Sequence, residues 1–180
     1  MDFEKSLKIS AVSGIMITFI SILSVLATFF INQIEHKILL NNIFSLSFLI
    51  FNIIFHYGFI KIGKEIKNNV LVLMSFSLII INLISYLLGL FSFYYSFLGL
   101  IILSISNVIL YVYYLAEIGF SIGILKLREN FGNIVIIVFV LGIIDGLINI
   151  KQLSPILRLF VFIPLNILKV IILSKFSKIK

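Results

Sequence analysis

The sequence predicts an all-α polytopic membrane protein, a compact antiparallel bundle of six transmembrane helices forming one domain over residues 1–180. Three observations carry that expectation. Hydrophobic residues make up 62% of the 180 positions and charged residues 12%, which leaves too little polar surface to face water. The mean hydropathy is +1.27. The apolar residues gather in six runs, at about 9–31, 39–60, 69–90, 97–125, 132–150 and 154–174, each near or above the roughly 20 residues that carry a helix across a hydrocarbon core.

The first run is too long for the core of a signal peptide, and no small-residue cleavage site follows it, so it reads as a retained first span. The connections that follow are short: "NQIEHKI", "KIGKEIKNN", "FSFYYS", "KLREN" and "KQLS". Short connections make consecutive helices antiparallel neighbours. The third, with Phe93, Tyr94 and Tyr95, carries no charge and reads as an aromatic anchor at the outer interface. The last helix opens on Ser154-Pro155, a good N-cap followed by proline at the first helical position.

Lysine placement sets the orientation. Lys5, Lys8, Lys61, Lys64, Lys67, Lys126, Arg128, Lys175, Lys178 and Lys180 fall at one end of a six-span bundle, against Lys37, Lys151 and Arg158 at the other. The positive-inside rule then puts both termini in the cytoplasm of a multi-pass cell-membrane protein, with a basic face that attracts anionic lipids. The net charge of +7 is spread along these connections rather than gathered in one patch, so topology explains it better than nucleic acid does.

Helices in lipid associate through small residues and interhelical hydrogen bonds rather than by hiding apolar faces. Each run carries such a seam at helical spacing. The seams are Ser10, Gly14, Ser21, Ser24 and Thr28; Ser45, Asn52 and His56; Ser75, Asn82, Ser85, Tyr86 and Gly89; Ser106, Tyr113, Glu117 and Ser121; Gly142, Asp145, Gly146 and Asn149; and Arg158, Asn166 and Lys169. Gly142 and Gly146 form a GxxxG step. "GFIKIGKEIKNNV" (58–70) and "GILKLRENFGNIV" (123–135) are faintly alike, which suggests repeated helical hairpins, although cytoplasmic helix ends favour Gly and Lys in any case.

Five ionisable groups fall inside the runs: His56, Glu117, Asp145, Arg158 and Lys169. A central charge costs about 2.5–3.5 kcal/mol on insertion scales, so each needs a partner. Asp145 and Arg158 lie roughly 6–8 Å below the same end and predict a structural ion pair locking the last hairpin. Glu117 lies nine residues before Lys126, roughly 13 Å from that end and near mid-membrane. Its expected partner is Lys169, with a neutral Glu117 bonded to Tyr86 or Tyr113 as the other arrangement. Pro164 removes a backbone hydrogen bond and would bend the last helix toward the fourth. Glu117, Lys169, His56, Asn82 and Tyr113 form the candidate intramembrane polar site.

The chain has no cysteine and only two histidines, His36 and His56, which excludes disulfides and thiolate sites and argues against a metal, haem or other cofactor. It also lacks an HExxH motif, a GxSxG elbow and paired intramembrane aspartates. An enzyme is not expected.

The turns "YGFIKIGKEIKNN" (57–69) and "SIGILKLRENFGNI" (121–134), with the closing "IPLNILKVIIL" (163–173), carry a resemblance to small uncharacterised six-helix membrane proteins of archaea and AT-rich bacteria. That family has no assigned activity and implies no catalytic residue. In architecture, six helices in this length with Ser10, Gly14 and Thr18 on the first also look like the substrate-binding S-components of energy-coupling-factor transporters. The alanine-based motif and the long polar outer loops of that group are missing.

Two functions follow as expectations. The first is a non-enzymatic accessory or partner-binding subunit, meeting another membrane protein or a second copy of itself within the bilayer. The second is a small-solute or ion transporter with Glu117, His56, Asn82 and Lys169 around its path. A dry interior with Glu117 ion-paired favours the first, and a polar cavity near mid-membrane favours the second.

Overall fold

A computed structural model describes residues 2–30, 34–94, 99–150 and 155–179. Seven α-helices account for nearly all of them: α1 (Phe3–Phe30), α2 (Ile34–Glu65), α3 (Asn69–Tyr94), α4 (Gly99–Leu125), α5 (Arg128–Phe131), α6 (Asn133–Ile150) and α7 (Pro155–Ile179). The described residues contain no strand. Five stretches are long and apolar enough to cross a membrane: Phe3–Ala27, Leu39–Glu65, Asn69–Phe91, Ser104–Leu125 and Leu159–Lys178. α6 offers the shorter apolar stretch Asn133–Leu147. Of the six expected spans, five fall on long apolar helices, and the fifth in sequence, 132–150, falls on the shorter apolar stretch of α6.

The apolar side chains are distributed for lipid. Val12, Phe19, Leu73, Phe76, Val108, Leu115 and Phe160 are exposed on the outside, while Ser10, Ser75, Asn52, Glu117 and Asn166 are buried. A soluble protein would invert that arrangement.

Two connections depart from the sequence expectation. α2 runs five residues past its expected end, because nothing breaks it before Lys67. There the backbone turns left-handed at φ 53°, the Lys67 N–H donates to the Lys64 carbonyl, and the Asn68 N–H donates to the Gly63 carbonyl at 2.7 Å. This is a Schellman ending with lysine where glycine is usual. Asn68 then caps α3, its side-chain oxygen accepting from the Leu71 N–H at 3.2 Å. In "KLREN", expected as a loop, residues 128–131 instead form the single turn α5, which buries Phe131 and closes at Gly132 with φ 58°.

The helices form a closed ring. Each of α1 to α3 packs on the next, α4 packs on α6, α6 on α7, and α7 returns to α1. Neighbours are antiparallel, as Ser10 against Ile54, Asn52 against Asn82 and Gly142 against Ser121 require. Alternate helices α2, α4 and α7 therefore run parallel to one another, and they meet inside the ring. Phe59 and Phe120 touch edge to face at 5.0 Å between centroids, and His56 meets Phe120 at 5.3 Å.

The packed core lies toward the lysine-rich end. Leu7, Phe55, Phe59, Ile62, Leu71, Phe120, Ile124, Leu127, Ile172 and Leu173 belong to it and are buried. The side chains of Phe93, Tyr94, Lys37, Thr28 and Asn149, and residues Tyr95, Lys151 and Ser154, lie outside the described residues.

Candidate functional site

Two polar features occupy the ring interior, at different heights. The first is built on α4 and α7. Glu117 and Lys169 are buried, and the Lys169 ammonium donates to Glu117 Oε2 at 2.9 Å. Tyr113, one turn earlier on α4, donates its hydroxyl to Glu117 Oε1 at 3.3 Å. Lys169 Nζ also stands 4.7 Å from the centroid of the Phe120 ring. Carboxylate and ammonium thus cancel, and each carries a second contact. That is the arrangement a buried ion pair needs to offset the cost of leaving water. Tyr86, the other proposed hydroxyl partner, is elsewhere; the nearer Tyr113 holds the carboxylate because it lies at i−4 on the same helix face.

His56 joins this cluster through the Phe120 ring, not through a hydrogen bond. Its Nδ1 and the Ser121 Oγ are buried with no hydrogen-bond partner among the described residues. α7 runs unbroken through Pro164. Asp145 is buried on α6, as its seam requires, while the side chain of Arg158, its expected partner, falls outside the described residues. Among the described residues no three metal-ligating side chains come together.

Asparagine ties flank the pair. Asn166 on α7 donates to the Gly14 carbonyl and to Thr18 Oγ1 of α1, both at 2.7 Å. Asn82 on α3 donates to Asn52 Oδ1 of α2 at 3.0 Å and to its own Leu78 carbonyl at 2.8 Å. Asn68 donates to the Gly123 carbonyl of α4 at 2.7 Å. Ser10 donates to the Ile54 carbonyl at 2.8 Å, tying α1 to α2. These are the interhelical hydrogen bonds expected of polar seams in lipid, each worth about 0.6–2 kcal/mol.

The second feature is a cavity of about 400 Å³ between α1, α2, α3 and α7, on the side of the asparagine ties away from the lysine-rich end. Ser21, Ser24, Ser45, Asn82, Ser85 and Tyr86 line it, together with Phe44, Phe48 and Phe162. Asn82 lines it, and the Asn82–Asn52 bond ties α3 to α2 at that level. Asn82 is therefore the one residue of the predicted polar site that reaches the cavity. Glu117, Lys169, Tyr113 and His56 belong to the ion-pair cluster instead.

Sequence reasoning placed the four serines and Tyr86 on seams but did not gather them into a site. Their signal was present: small polar residues persist on α1 to α3 above the level where the charged ones stop. Comparison of the chain with protein-family models, curated proteins and solved structures gives no match.

Proposed function

We propose that this chain is a non-enzymatic six-span membrane protein that holds, and transports, a small solute in the cavity between α1, α2, α3 and α7. The observation that carries this reading is the cavity itself. It is within the size range of small-molecule sites, about 300–1,000 Å³, and polar groups converge in it from three helices. A bundle serving only as a scaffold has no use for such a space, since interiors pack to crystal density. α6 counts as the sixth span, because its 18 residues reach about 27 Å. Both termini and the turns after α2 and α4 lie at the lysine-rich end, which the positive-inside rule assigns to the cytoplasm. The cavity then faces outward, and anionic lipids gather at the opposite, basic face.

A second reading rests on the Glu117–Lys169 pair. It is dry and already satisfied, which suits a rigid subunit that docks on another membrane protein or on a second copy of itself. Single-cysteine replacements separate the two readings, and the chain supplies no competing thiol. A membrane-impermeant maleimide added outside should modify Ser24→Cys and Ser45→Cys but spare Ser75→Cys, whose parent side chain is buried in α3. Protection of all three positions would remove the solute reading and leave the accessory role.

A further inference from the structure

The lining of the cavity defines the charge of what it takes. We infer that its ligand is neutral: a small molecule with hydroxyl or amide groups on one side and an apolar face on the other. This deepens the solute-binding reading and rests on it.

The cavity's electrostatics come first. Among the described residues, none that lines the cavity carries a charged side chain. Among the described residues, the buried charges Glu117 and Lys169 are consumed by each other at 2.9 Å. Among the described lining residues a charged ligand would find no counter-charge, and it would leave its hydration without replacement.

The hydrogen-bond inventory comes second. Asn82 spends both amide hydrogens on Asn52 and Leu78, so it turns a carbonyl oxygen to the cavity. Ser21 donates to the Ile17 carbonyl at 2.9 Å and keeps its lone pairs. Ser24, Ser45, Ser85 and Tyr86 line the same space, and their hydroxyls can donate as well as accept. A group that both donates and accepts, such as a hydroxyl or an amide, satisfies this set. A carboxylate or phosphate meets the bare oxygens of Asn82 and Ser21.

Size and shape come third. A dehydrated cation needs oxygens converging on a volume near that of one water, about 30 Å³. Here the oxygens are dispersed over three helices around about 400 Å³. Phe44, Phe48 and Phe162 supply the apolar wall. A free polyol or amide and the headgroup of an uncharged lipid share this chemistry.

The test uses Ser45→Cys in lipid nanodiscs. Three methanethiosulfonates of similar size are compared: neutral hydroxyethyl, cationic trimethylammonioethyl and anionic sulfonatoethyl. Each rate is normalised to that with a free thiol. The expected result is a neutral reagent favoured about tenfold or more over both charged ones, as burial of an unpaired charge dictates. Adding Asn82→Asp should turn the preference toward the cationic reagent, because a carboxylate then faces the cavity. A charged reagent as fast as the neutral one overturns the inference while leaving an accessible cavity. Failure of all three reagents removes the cavity reading itself. Slowing of the neutral reagent by glycerol in the water assigns a free solute, and slowing by monoacylglycerol in the bilayer assigns a lipid headgroup. Protection by phosphatidate alone overturns the inference.

Discussion

Lys169 reaches Glu117 across the ring interior from a position 52 residues away in sequence, and both side chains are almost wholly buried. Removing one partner strands the other charge in a low-dielectric core, which costs about 3–5 kcal/mol, whereas replacing both with apolar or neutral groups of similar volume is often close to neutral. Glu117→Gln and Lys169→Met should therefore each lower the thermal midpoint in detergent steeply, while the double replacement recovers most of the loss. If the double variant is no more stable than the singles, the pair is not the unit described. Should Glu117→Gln alone leave both stability and co-purifying proteins unchanged, the carboxylate has a task other than assembly, and flux measurements in liposomes become the next step. The pairing of Glu117 with Lys169 and Tyr113 was legible from depth along each helix and from spacing. The role of Asn68 was not drawn from the sequence, although an asparagine directly before an apolar run is a helix-start signal.

At the scale of elements, close approach is arranged by glycine. A Cβ on Gly123 would stand 2.9 Å from the Leu71 Cα, so α3 and α4 meet backbone to backbone. Gly58, its counterpart in the repeated turn sequence, meets Ser10 of α1 in the same way, at 2.6 Å from its Cβ. Both glycines seat the second helix of a hairpin on the first, and this gives the faint sequence repeat a structural counterpart. The GxxxG step on α6 is graded. A Cβ on Gly142 would collide with Ser121 Oγ at 2.1 Å, whereas one on Gly146 would meet Ile118 at an ordinary 3.4 Å. A Cβ on Gly89, one turn beyond the cavity-lining Ser85 and Tyr86, would meet nothing within 4 Å. Gly142→Val should thus sharply reduce the yield of folded monodisperse protein through overpacking, a cost of about 1–3 kcal/mol or more. Gly146→Ala and Gly89→Ala should be tolerated. Size-exclusion chromatography of the three variants checks the order, and an intolerant Gly89→Ala would mean that the space beside Gly89 is filled.

The whole molecule divides along its long axis into a tied half and an open half. Toward the lysine-rich end, the aromatic contacts, the ion pair and the core residues fill the ring. Beyond the asparagine layer the cavity lies between α1, α2, α3 and α7. Orientation is the prediction that belongs at this scale. Cysteines replacing Lys8, Lys64, Lys126 and Lys178 should all be labelled by an impermeant reagent from the same side of sealed vesicles, and the cysteine replacing Ser45 from the other. Labelling of the α6–α7 hairpin at the lysine-rich side would show that α6 does not cross.

Composition, apolar periodicity and the spacing of lysines by themselves determined that the chain is all-helical, where its helices run within a few residues, and which end carries the positive charge. These are local properties, set by how each segment partitions into lipid. The seams likewise named the buried polar residues of most helices, because an unsatisfied polar group in hydrocarbon is costly wherever it occurs. What only the tertiary structure decided is which seams meet. Glu117 and Lys169 became a closed pair and Asn82 part of a cavity lining because α7 closes the ring against α1 and brings α2, α4 and α7 together within it. That closure depends on the relative rotation and crossing of helices far apart in sequence, and no single segment encodes it.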